Sequence, residues 1–137
     1  MSTINTTPKT RTITLTGRPP VKIREDQWPI IAQGSYAWWD NQYRSQANRS
    51  VDIWLRVRQH ADGRAIVYGG YDYMTCWQGE QGRDVRVGAL LEPGADLVRA
   101  IQQVGAELAD RIEDEPGAQR VRDVIDACIA DLPAEEL

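Results

Sequence analysis

Between Val51 and Arg58 the chain alternates Val51, Ile53, Leu55 and Val57 with Asp52, Trp54, Arg56 and Arg58, the two-residue period of a strand with one buried face. Asp62-Gly63 follows, a dipeptide that accepts the positive φ angles of a two-residue type I′ turn, and a second apolar run begins at Ala65. A turn centred there pairs Val57 with Tyr68, Leu55 with Gly70, Arg58 with Val67 and Trp54 with Tyr71. One face of this hairpin then carries Val51, Ile53, Leu55, Val57, Ile66 and Tyr68. The other carries Trp54, Arg56, Arg58, Ala65, Val67 and Tyr71.

The same period recurs more weakly on both sides. RTITLT (11–16) reads as a strand, Gly17 to Pro20 as a turn or edge break, and VKIR (21–24) as a short second strand. In EDQWPIIAQG, Asp26 can cap a short helix, Pro29 suits its first turn and Gly34 can close it. SYAWWDN (35–41) is strand-prone, residues 41–50 are polar loop, residues 74–77 extend the hairpin before a GEQG turn, and DVRVGAL (84–90) is the last strand. Beyond it the period lengthens. Leu97, Val98, Ile101, Val104, Leu108 and Ile112 recur at helical steps, Pro116-Gly117 breaks the pattern, and Val121, Val124, Ile125, Cys128, Ile129 and Leu132 mark a second helix.

The expected fold is therefore α+β: a curved antiparallel meander of four to six short strands, a short N-terminal helix, and two C-terminal helices packed on one face. Residues 1–10 are expected to form a disordered tail and residues 11–137 one domain, since the tail has almost nothing to bury. The polar N-terminus lacks the apolar segment of a signal peptide, and no run approaches the length of a membrane span, so a cytoplasmic protein without membrane contact is expected.

Charge and composition narrow the chemistry. A net charge of −4 conceals an asymmetry, because residues 88–137 hold twelve acidic and four basic side chains while residues 1–87 hold eight and twelve. His60 is the only histidine and sits beside the turn, where a surface position is expected. Cys76 and Cys128 have no metal-ligand or redox spacing and read as buried, reduced thiols. Asp40, Asp52, Asp72 and Asp84 resemble no calcium loop, and the glycines form no phosphate-cradling motif. No cofactor, metal or catalytic residue is assigned on these grounds. No pattern specifies an oligomeric state.

The positive signal is aromatic. Nine of the ten Trp and Tyr residues lie between 36 and 77, interleaved with Arg44, Arg49, Arg56, Arg58 and Arg64. Such a mixture suits protein-interface hot spots and also single-stranded nucleic acid, whose bases stack on rings. Without any Phe, however, Trp and Tyr must also fill the core. Tyr68 is assigned to packing. Trp54, Arg56, Arg58 and Tyr71 form the candidate binding face, provided the C-terminal helices cover the aliphatic face instead.

ITLTGRPPVKI, WPIIA, VRQHADGRAIVYGGYDY and WQGE resemble segments of small proteins carried on proteobacterial plasmids and integrative elements. The resemblance covers about residues 12–110 and implies a context, in which small accessory proteins bind DNA or proteins, including as inhibitors of a host system. The expected function is a non-enzymatic intracellular binding protein acting through a protein partner. Single-stranded nucleic acid binding through the Arg/aromatic face is the alternative, and a small enzyme the second alternative. Overall acidity favours protein over duplex DNA.

Overall fold

A computed structural model describes residues 9–40, 49–75, 83–112 and 115–134. Its elements are β1 (Thr10–Leu15), β2 (Arg18–Arg24), β3 (Ile30–Asp40), β4 (Arg49–Gln59), β5 (Ala65–Thr75), β6 (Arg83–Leu91), α1 (Leu97–Arg111) and α2 (Glu115–Ala130). β3 to β6 form a four-stranded antiparallel meander, and β1 and β2 a separate antiparallel pair. The expected tail before residue 9, the polar loop at 41–48 and the turn around GEQG lie outside the described residues.

The central hairpin forms one residue out of the expected register. Val57 pairs with Val67, Leu55 with Gly69, Trp54 with Gly70 and Ile53 with Tyr71. The cause is the turn. Within this turn only Gly63 adopts positive φ, at 97°, and no described non-glycine residue does, so Asp62 cannot occupy a type I′ position. The His60 N–H donates to the Arg64 carbonyl at 2.9 Å and the Gly63 N–H to the His60 carbonyl at 2.9 Å, closing a three-residue loop with glycine in the left-handed position. A one-residue slip moves every β5 side chain to the other face. Tyr71 and Val67 therefore join Val51, Ile53, Leu55 and Val57, while Tyr68 and Ile66 join Trp54, Arg56 and Arg58.

The helices cover one face of the meander and the N-terminal strands part of the other. On the first, Val51, Ile53, Leu55, Val57, Val67, Tyr71 and Val87 form one core with Ile101, Val104, Leu108, Val121, Val124 and Cys128 of the helices. On the second, Ile66 and Tyr68 are buried with Ile13, Leu15, Ile23 and Trp28, and Trp54 packs at the margin. Burying a Val or Ile in either layer contributes about 1.5–3 kcal/mol, so both layers hold the sheet. No described helix is long and apolar enough to cross a membrane.

The short N-terminal helix is corrected to turn and strand. Residues 25–28 form turns, with the Gln27 N–H bonded to the Arg24 carbonyl at 3.0 Å, and β3 starts at Ile30. The open edge of β4 offers this segment a ladder, and the Gln59 N–H takes the Pro29 carbonyl at 3.1 Å. Ile30 is exposed and Ile31 half-buried, so the two do not form the apolar stripe a helix would need. Pro116-Gly117 lies in the first turns of α2, which begins at Glu115 rather than near Val121. Proline is tolerated there because the first backbone N–H groups of a helix lack intrahelical partners.

Close approach of α2 to β3 depends on Gly34. A Cβ on Gly34 would lie 2.6 Å from the Val124 carbonyl oxygen and 2.7 Å from the Cys128 nitrogen, both backbone atoms that can yield only if the helix moves. Gly34→Ala should lower the unfolding free energy by about 1–3 kcal/mol, the usual cost of overpacking. Urea denaturation followed by tryptophan fluorescence measures it, and an unchanged midpoint would show that the helix adapts freely.

Candidate functional site

Of the four residues expected to share a face, the structure brings three together. Trp54, Arg56 and Arg58 alternate along one face of β4, whereas Tyr71, opposite Ile53, points into the helix-side core and is 5% exposed. Its place is taken by Tyr68, opposite Arg56. The three that remain have different roles.

Arg58 is buried, at 4% exposure, beneath the layer formed by Trp28 and β1 to β2. Its Nε donates to the Tyr68 hydroxyl at 2.8 Å and its Nη1 to the Trp28 carbonyl at 2.9 Å, with Glu25 Oε1 3.7 Å from Nη2. Arg11 Nε donates to the same Glu25 oxygen at 2.6 Å. That bond, against some desolvation, holds the Glu25 carboxyl below its ordinary range. Hydrogen bonds to a charged group contribute about 1.5–3 kcal/mol each, and a guanidinium out of water requires them. Arg58 thus ties the N-terminal layer to the sheet and is not open to a partner.

Trp54 organises the open part of the face. Opposite it stands Gly70, where an added Cβ would lie 2.6 Å from the Arg86 guanidinium and 3.0 Å from the Trp54 ring. The bare backbone lets Arg86 of β6 and Trp54 meet across β5. Arg56 and Arg86 lie over the indole at 4.8 and 5.4 Å, it forms a T-shaped pair with Tyr68 at 5.6 Å between ring centres, and its Nε1 donates to Asp72 Oδ2 at 3.3 Å. Each cation over the ring adds about 0.5–1 kcal/mol when exposed. Arg86 Nη2 also lies 2.7 Å from Asp72 Oδ1, but its N–H is not aimed at that enclosed oxygen, which takes no hydrogen bond from a described residue. The contact is an ion pair without alignment.

Between this cluster and Arg11–Thr14 of β1 runs a cleft of about 180 Å³, lined by Arg11, Trp54, Arg56, Tyr68 and Arg86. Arg11 and Arg86 are engaged by Glu25 and Asp72, while Arg56 has no acidic partner among the described residues. The cleft therefore presents three guanidinium groups, one of them uncommitted, around an aromatic ring whose position is set by its neighbours. That arrangement can take an anionic group and fix its orientation.

Carboxylates border it. Asp52 faces Asp72, and Asp72 faces Asp84, in one row across β4, β5 and β6. Burial, then the neighbouring Asp72 charge, raises the Asp52 carboxyl above its ordinary range, with Arg56 and Arg86 opposing. Among the described residues no group of three or more His, Cys, Asp or Glu is placed to hold a metal ion. His60, expected at the surface, is half-buried with its ring 5.1 Å from that of Trp28. Cys128 is buried and free, and burial, with a contribution from Asp131, pushes its thiol up to about 11. Cys76 lies outside the described residues.

Arg11, Tyr68, Asp72 and Arg86 were not among the expected site residues. Recognising Gly63 as the left-handed third residue of a three-residue loop would have placed Tyr68 and Asp72 on the Trp54 face. Arg86 alternates with Val85 and Val87, a visible signal of a polar face once its strand neighbour is known. Comparison of the chain with protein-family models, curated proteins and solved structures gives no match.

The raised Asp52 carboxyl has a stability consequence. A group that binds protons more tightly folded than unfolded disfavours the folded state once pH exceeds its unfolded pKa, and that penalty is absent at lower pH. Asp52→Asn should accordingly raise the urea midpoint at pH 7 and leave it unchanged near pH 3. A loss of stability at pH 7 would mean that the Asp52 charge is favourably used.

Proposed function

We propose that this chain is a binding protein that takes an acidic side chain or terminal carboxylate of a protein partner into the cleft between β1 and the meander. The observation that carries this reading is the arrangement over Trp54, which aligns Arg56 and Arg86 on one indole while Arg56 has no carboxylate partner among the described residues. A guanidinium already positioned and partly desolvated loses little freedom when it meets a carboxylate.

The same geometry weighs against base stacking. Two guanidinium groups lie over the indole and its N–H is engaged by Asp72, so the ring is poorly placed to serve as a platform. A nucleic acid strand following the face would also run its phosphates along Asp52, Asp72 and Asp84. A side-chain-sized anion avoids that row, and a cleft of about 180 Å³ suits it. Mixed charge around a small pocket favours a protein ligand over a polyanion.

Selection from a displayed peptide library, followed by titration of the enriched peptides, tests this. The expected result is enrichment of Asp, Glu or a free carboxyl terminus, with affinity falling by about tenfold or more in Arg56→Glu, since a like charge then faces the ligand. Far-ultraviolet circular dichroism should be unchanged, because Arg56 makes no structural ion pair with a described residue. Enrichment of peptides without acidic groups, or binding of single-stranded oligonucleotides lost in Trp54→Ala, would overturn the reading.

A further inference from the structure

The two outer edges of the meander are treated differently. In β6 the outward N–H and C=O of Gly88 are taken by Thr16, through its Oγ1 at 3.2 Å and its N–H at 2.9 Å, and the strand carries Arg83, Asp84 and Arg86. Charges and a covering segment are the usual means of keeping an edge from pairing with another chain. Among the described residues, β3 has neither over most of its length. From Ile30 to Trp39 it contains no charged residue and no proline.

Which β3 groups face outward follows from the ladder. The His60 and Arg64 pairing makes the even residues of β4 bond to β5, so its odd residues bond to β3. The register Leu55 with Gly34 and Ile53 with Tyr36 then leaves the N–H and C=O of residues 33, 35, 37 and 39 on the outer edge. The Gln33 N–H confirms the direction, since it donates to Asp131 Oδ2 at 2.9 Å. Asp131 stops the edge at that end. At Ser35 and Ala37, both exposed, no described residue takes the outward backbone groups.

We infer that this edge is the self-association surface of the protein, on which β3 of a second copy pairs antiparallel around Tyr36 and joins two meanders into one eight-stranded sheet. A two-fold axis there sets Ser35 against Ala37 of the other copy, so the outward groups of both strands satisfy each other. The flanking helix suits the same operation. Arg120 stacks over Tyr36 at 5.0 Å, and Ala127 lies beside Gly34, so α2 runs antiparallel along β3. Exposed Ala127 leaves room for a second α2. Arg120 and Asp123, 3.4 Å apart in one chain, stand near the axis, so each cation meets an anion of the other copy. A strand of unrelated sequence would find the ladder without this charge match.

Sedimentation equilibrium of the full chain tests the inference. The wild type should show twice the 15.5 kDa of one chain. Ala37→Pro removes an outward N–H that the meander does not use, and proline is tolerated on an edge. Ala37→Lys places a charge there without touching the backbone. Both should sediment as monomers with unchanged circular dichroism, and the Ser35 and Ala37 amides, protected from hydrogen exchange in the wild type, should exchange faster on dilution. A wild type that is monomeric across the accessible concentrations overturns the inference. So does a dimer that survives both substitutions, or protection of those amides in a monomer, which would mean that another segment of the chain covers the edge.

Discussion

The loop from Ala61 to Gly63 determines which side of the sheet every β5 side chain takes, and the rest of the molecule follows from that choice. With three residues in the loop, Val67 and Tyr71 fall on the side of Leu55 and meet the helices, while Ile66 and Tyr68 fall on the side of Trp54. A two-residue loop would have turned Tyr68 toward the helices and left Arg58 facing Val67. Gly63 carries the constraint because its φ of 97° is strained for any other residue, and an added Cβ there would also press on Pro93 at 3.0 Å.

Once Tyr68 is on that side, Arg58 has a partner, and a buried guanidinium becomes affordable. Tyr68 comes from β5, and the Trp28 carbonyl and Glu25 from the turn at 25–28 far from it in the chain, so the cation can be satisfied only when β1 to β2 and the following turn lie on the meander. Apolar contacts of Ile13, Leu15 and Ile23 supply area without direction. The hydrogen bonds supply direction. The N-terminal layer is thereby held at the height that leaves a cleft beside Trp54.

The elements with strong periodicity were legible: the β4 alternation, the hairpin after it, the last strand, and both helical stripes. Segments whose structure depends on a distant partner were not. Residues 26 to 34 carry credible capping and closing residues for a helix, yet the edge of β4 recruits them as a strand, a choice visible only in three dimensions. The N-terminal strands read correctly as strands, but nothing local says that they form a separate pair laid over the second face. The candidate site was half legible. Trp54 and Arg56 follow from alternation on one strand, while Tyr71 was assigned through a register inferred from a dipeptide, and a dipeptide does not distinguish a two-residue from a three-residue loop. Arg86 and Arg11 reach the cleft from other strands.

Placing cations and carboxylates side by side on one face has a physical logic. Asp72 receives the indole N–H and sits against Arg86, so it fixes the ring and one guanidinium together. A carboxylate that orients an arginine also lessens its attraction for an external anion, and Asp52 beside it lessens it further. Arg56 is the exception, being held over the ring face, whose attraction for a cation does not cancel its charge, with no carboxylate of a described residue in ion-pair contact. For the proposed acidic ligand, selectivity would come from geometry: a compact anion can approach Arg56 from the β1 side, away from the carboxylate row, while an extended polyanion would have to cross it. α1 and α2 cover the opposite face of the sheet, and their charges nearly cancel, with Glu107, Asp110, Glu115, Asp123 and Asp126 against Arg99, Arg111, Arg120 and Arg122, so the field at the cleft is set by the groups on its own face.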